Sequence, residues 1–248
     1  MHRSLLLTAL LLAPWLARAE GTTPRLTLDL ETGAVWASRN TVQVPGRTGT
    51  RFTMASGGDF SLDTAPFVRA RIGGSLGRHA LFLTFAPVRL SGEGRSGATI
   101  LFRNLTFTAG GDARARYRFD TYRLTYRYTL VSIPSLDLAL GLTALVRDAE
   151  IRLSQPGQST SERNTGFVPL LSFRVAWRLG GPFALSLDGD ALAARQGRAE
   201  DVALALELAT GDLTFRAGYR VLEGGADVSK VHNFAWLNHV LAGVSYAF

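Results

Sequence analysis

Cysteine is absent from the 248 residues. Without disulfides, an exported chain must draw its stability from ordinary packing or from a sheet whose hydrogen bonds close on themselves. With no cysteine at position 20, lipid attachment there is excluded as well. Long apolar runs are missing too. The greasiest passage beyond the N-terminus, 136–146, is interrupted by Asp137 and Gly141, whereas a spanning helix needs roughly 20 apolar residues. Yet 46% of the residues are hydrophobic and only 19% charged, a balance apolar enough for a membrane. Helices and closed barrels are the two structures that satisfy every backbone hydrogen bond inside lipid, so the shortage of helical spans leaves the barrel.

Other absences narrow the chemistry. There is no Gly-x-Ser-x-Gly elbow, no zinc-type His-Glu-x-x-His and no repeat at a solenoid period. No metal or cofactor is expected. Lysine is reduced to Lys230, so arginine carries nearly all the positive charge.

The N-terminus has three parts. Met1-His2-Arg3-Ser4 is basic, Leu5 to Leu12 is apolar, and Ala17-Arg18-Ala19 is a small-x-small cleavage site. That is the layout of a secretory signal peptide. Residues 1–19 are therefore read as a removed leader and 20–248 as one domain, whose formal charge falls from +7 to +5 once Arg3 and Arg18 depart.

From there the chain alternates with period two, as transmembrane strands of about 10 residues do. Ten segments can be drawn. The clearest sets Tyr122, Leu124, Tyr126, Tyr128 and Leu130 against Arg123, Thr125, Arg127 and Thr129. Tight links follow the even-numbered strands: Gly77-Arg78, Ser132 to Ser135, Gly180-Gly181-Pro182 and Thr210-Gly211-Asp212. Longer, polar links are expected at 38–59, 91–112, 154–164 and 223–233. A phase slip at Pro87 suggests a bulge. The fold class is thus all-β, a transmembrane antiparallel up-and-down barrel of ten strands. Eight remain open if 191–209 is helical, and twelve if the 91–112 segment contributes a hairpin to the barrel wall.

The chain resembles the bacterial outer-membrane β-barrel proteins, including small OmpA-type and porin-like barrels. The leader, the alternating strands and the last strand, Val240 to Phe248, carry the resemblance. It implies location in the bacterial outer membrane, and it implies that Tyr246 and Phe248, with Val244 and Ala242, form the signal read by the barrel-assembly machinery. Trp36, Trp177, Trp236, Tyr126, Tyr128, Phe234 and Phe248 suit an interfacial girdle.

Parity turns many charges toward the axis. Glu31, Arg69, Arg71, Arg123, Arg127, Arg147, Arg174, Arg178, Asp188, Asp190, Glu207, Arg216 and Arg220 form the expected lumen charge network, with Asp29 and Asp137 beside them. Such charges must pair or stay hydrated. The first reading is a structural or lipid-contacting envelope component with a salt-bridged lumen; the second is a narrow porin-like channel for anions or small polar solutes. Arg114, Arg116 and Arg118 fall on the outward parity and are expected to meet lipid headgroups, lipopolysaccharide above all. Nucleic acid is set aside as a partner, since an exported protein seldom meets it. Catalysis is not expected. The alternative, a lipid hydrolase at the rim, would draw on Ser229 and His232, with Asp227, His239 and Glu223 nearby.

Overall fold

The computed structural model describes residues 23–194 and 197–248; the leader reading falls outside them. Ten strands run through the molecule: β1 Arg25–Gln43, β2 Ala65–Leu76, β3 His79–Ala86, β4 Ala113–Ile133, β5 Leu136–Gln155, β6 Gln158–Gly180, β7 Phe183–Ala194, β8 Gly197–Thr210, β9 Leu213–Asp227 and β10 His232–Ala247. Each pairs antiparallel with its neighbours in chain order, and β10 closes on β1. Among the described residues there is no helix. The stretch around 191–209, rich in helix formers, is strand on both sides of 195–196 because each residue pairs across the wall, Ala191 with Glu200 and Leu204 with Leu187. Closure leaves no unpaired strand edge around the ten-stranded wall.

One end of the barrel carries four tight turns, between Leu76 and His79, Ile133 and Leu136, Gly180 and Phe183, and Thr210 and Leu213. The other end differs from the sequence expectation. The 154–164 link is not a loop. β5 and β6 stay paired to Gln155–Gln158 and turn through Pro156-Gly157, with Gly157 at φ +81°, the left-handed position that a Pro-Gly turn assigns to glycine. The 223–233 link is likewise mostly strand, since β9 and β10 remain paired to Asp227–His232. Only 44–64 and 87–112 are long excursions, and both fold back as a cap.

The cap holds an apolar core. Phe52 packs edge-on against Phe60 and Phe102, with ring centroids 5.6 and 5.8 Å apart. Met54, Ile100, Phe107, Val42 and Leu153 are buried around them. The short hairpin Ile100–Phe102 with Leu105–Phe107 docks on the first excursion through Thr50 N–H to Leu101 O (2.9 Å) and Arg103 N–H to Val44 O (2.8 Å). It adds nothing to the barrel wall, so the strand count stays ten.

Polarity therefore inverts along the axis. In the turn-bearing half, Leu83, Leu124, Leu142, Leu171 and Leu204 are exposed on the outside, while charged and hydroxyl side chains fill the interior. In the capped half, Leu90, Ala115, Tyr117, Ile151 and Leu153 are buried inside, and arginines take the outer face. This inversion explains Pro87. Phe85 pairs with Tyr122 and Arg89 with Arg118 in one continuous register, bridged by Val88 and Phe119, which exchange both backbone hydrogen bonds. No bulge exists there. The apolar residues change parity because the strand passes from the part of the wall whose apolar side chains face outward to the part that packs on the cap core.

Candidate functional site: the lumen network and the outer rim

The lumen charges of the belt meet in one continuous ion-pair network. Asp201 sits at one end and accepts from three arginines: Arg69 Nη1 at 3.0 Å, Arg123 Nη2 at 2.6 Å and Arg220 Nη1 at 2.6 Å. Arg220 also reaches Glu31 at 2.7 Å, Arg216 bridges Glu31 (2.9 Å) and Asp29 (2.5 Å), and Arg71 Nε donates to Asp29 at 2.7 Å. Arg71 leads on to Asp188, which accepts from Arg127 at 2.5 Å. Arg174 joins Asp188 to Glu207. At the other branch Arg123 holds Asp190 at 2.9 Å, and Asp190 accepts from the Thr143 hydroxyl at 2.7 Å. Arg71 also lies over the Phe82 ring, 4.9 Å from its centroid.

Strand parity assembles this network. Positions i and i+2 of one strand share a face, so β1 offers Asp29 and Glu31 together, β2 offers Arg69 and Arg71, β7 offers Asp188 and Asp190, and β9 reaches inward at Arg216 and Arg220. Asp29 lies directly opposite Arg71, and Glu31 opposite Arg69. Glu207 lies opposite Arg216 in the β8–β9 register yet pairs with Arg174. Breaking such a pair by removing one partner strands a buried charge, which makes the network self-consistent but intolerant of deletion. Arg123 and Asp201 are each only 3% exposed. Hydrated ions therefore have little purchase on these side chains.

Two expected members lie elsewhere. Arg147 sits above the network and donates to Asn164 Oδ1 at 3.1 Å. Arg178 lies at the turn-bearing end, half-exposed and paired with Asp137 at 2.5 Å. In the other direction, Asp201 is a full member although it is absent from the expected set. Counting back by twos from Glu207, through Ala205 and Ala203, reaches it. His239 joins the network's upper edge, buried edge-on against Phe67 at 4.9 Å. It borders a cavity of about 20 Å³ shared with Arg69, Asp201 and Arg220, room for about one water.

On the outer wall Arg114 and Arg116 are exposed and Arg118 is half-buried. Arg114 pairs with Glu93 at 2.5 Å, and Arg118 with Asp148 at 2.9 Å. Tyr246 and Phe248 lie outward at the turn-bearing end, their rings edge-on at 4.7 Å. The terminal N–H of Phe248 donates to Leu26 O at 2.8 Å.

Of the rim residues, His232 and Asp227 meet, while Ser229, Glu223 and His239 stand apart from them. His232 Nδ1 is 3.2 Å from Asp227 Oδ1, but Ser229 is exposed, and no hydrogen bond joins its side chain to His232 among the described residues. Glu223 is held between Arg39, at 2.9 Å, and Arg198. His239 faces the lumen on the far side of the wall from Asn238 and Val240.

Similarity to known proteins lies in the fold. The outer membrane protease OmpT from Escherichia coli is 11% identical, with 93% of this chain and 99% of that chain covered and a TM-score of 0.57. Ail, the attachment invasion locus protein of Yersinia pestis, is 10% identical over 90% and 98% of the two chains, with a TM-score of 0.40. Neisserial surface protein A is 13% identical over 92% and 100%, with a TM-score of 0.34. No protein-family model and no curated protein matches the sequence. At such identities the likeness to OmpT speaks for the outer-membrane barrel fold alone.

Proposed function

We propose that this chain is a closed outer-membrane barrel of a Gram-negative envelope, a structural or lipid-contacting component rather than a conduit. Its lumen charges serve to fill and rigidify the wall. The reading is carried by one observation: the belt arginines and carboxylates are paired with one another away from bulk water, beneath a cap whose core is apolar. A conducting lumen would instead keep its charges hydrated. The exposed belt of Leu, Val and Phe side chains supports placement in lipid, and Tyr246 with Phe248 is offered as the signal for the barrel-assembly machinery. The outward arginines above the belt are the proposed contact with lipopolysaccharide.

Planar-bilayer recording tests the closed state. The expected outcome is no unitary conductance steps in potassium chloride at moderate voltage. Reproducible, anion-selective steps would replace this reading by the narrow-channel one.

A further inference from the structure

The outward faces of β4, β5 and β6, and of the Arg89–Gly94 strand that pairs with β4, form a grid whose rows follow from the register. The uppermost lipid-facing row is Phe85, Tyr122, Val146 and Phe167, directly opposite one another. Two residues higher stand Asp120 and Asp148, and two higher again Arg118, Glu150 and Arg163. The next row reads Ser91, Arg116, Arg152, Ser161 across four adjacent segments.

That row is unusual. Arg116 and Arg152 are directly opposed, and like charges placed so cost stability unless something lies between them. Arg152 shares Glu150 with Arg118 and Arg163. Arg116 has no ion-pair partner among the described residues and is exposed. Two guanidinium forks flanked by hydroxyls on both sides match a phosphate's need for several convergent donors.

Height selects the source of the phosphate. Arg116 is six residues above Tyr122. At about 3.3 Å per residue and a strand tilt of about 40°, that is roughly 15 Å above the last lipid-facing row. A bilayer's headgroup zone is only about 5–7 Å deep on each side. The row therefore stands above the lipid phosphates, at the level of the sugars that follow them.

We infer that Ser91, Arg116, Arg152 and Ser161 form a binding site for the phosphorylated core sugars of the outer-leaflet glycolipid. The inference rests on the outer-membrane reading above and specifies which part of the glycolipid is held. The test uses full-length protein in detergent and three probes: lipopolysaccharide with its phosphorylated core, the same material with core phosphates removed, and lipid A alone. The native chain should bind the first about tenfold more tightly than the other two. The Arg116→Gln/Arg152→Gln pair should abolish that preference, and Arg25→Gln, at the opposite end, should leave it intact. Should the pair fail to fold, Arg116→Gln alone, which breaks no ion pair, should reduce the preference. Equal binding of lipid A and core-bearing glycolipid by the native chain overturns the site but leaves the envelope reading standing. Failure of the native chain to insert into bilayers at all would sink that reading, and the site with it.

Discussion

Asp201 concentrates the interior chemistry in a single carboxylate. Three guanidiniums converge on it within 3.0 Å, and none has bulk water as a substitute. Asp201→Ala should therefore cost roughly 3–5 kcal/mol, the usual penalty for breaking one side of a buried ion pair, seen as a lower urea midpoint. Asp112→Ala, in a fully exposed pair with Arg95, should leave that midpoint unchanged. Outside the belt, Glu150 makes a pH-dependent contribution. Partial burial pushes its carboxyl up, but hydrogen bonding from Arg152 and the charges of Arg163 and Arg152 outweigh that and hold it below its ordinary 4.5. A depressed carboxyl stabilises the folded state above its unfolded value, and the contribution is lost as pH falls through the folded value. Hydrogen-exchange protection of the β5–β6 projection, corrected for intrinsic rates, should hold steady from pH 7 to about 5 and decline below about 4.5. A decline already under way at pH 6 would contradict the assignment.

Whether a strand is legible depends on what lies on its two faces. In β4 and β5 the belt portion has an exposed apolar face on one side and the charge network on the other, so period two is plain and the strands can be read directly. The β6 arm of the upper β5–β6 hairpin is polar on both faces, with Ser159 and Ser161 on the outer side and Thr160 and Glu162 on the inner. Alternation fades there, and the segment reads as a loop despite its Pro156-Gly157 turn. Asp201 was hidden for a related reason, lying where β8 leaves the belt. Network membership at Glu31, Arg123 and Arg220 follows from parity alone, but which carboxylate each arginine meets depends on neighbouring strands. The lipid face has its own test. Leu142, 62% exposed on β5, lies well inside the belt, and Leu142→Arg should destabilise the barrel in bilayers by about 2–4 kcal/mol. In a soluble barrel the same change would be harmless.

At the scale of the whole molecule, two opposite packing rules operate in one closed sheet. The belt is built inside out, with leucine toward the surroundings and arginine toward the axis. The capped end follows the ordinary rule, with Phe52, Phe60, Phe102 and Phe107 inside. The reversal at the Phe85–Tyr122 row marks the proposed membrane boundary, and the proposed closed lumen and glycolipid site both depend on it. The absence of native cysteine makes that boundary directly measurable. Single cysteines at Leu83, Leu142 and Leu204 outward, Thr125 and Ser186 inward, and Leu90 in the cap core can be spin-labelled in protein reconstituted into phospholipid bilayers. Accessibility to oxygen, which concentrates in hydrocarbon, is then compared with accessibility to a water-soluble nickel chelate. The account predicts oxygen-dominated signals at the three leucines of the belt and low accessibility to both agents at Thr125, Ser186 and Leu90. Chelate-dominated signals at Leu83, Leu142 and Leu204 would contradict it.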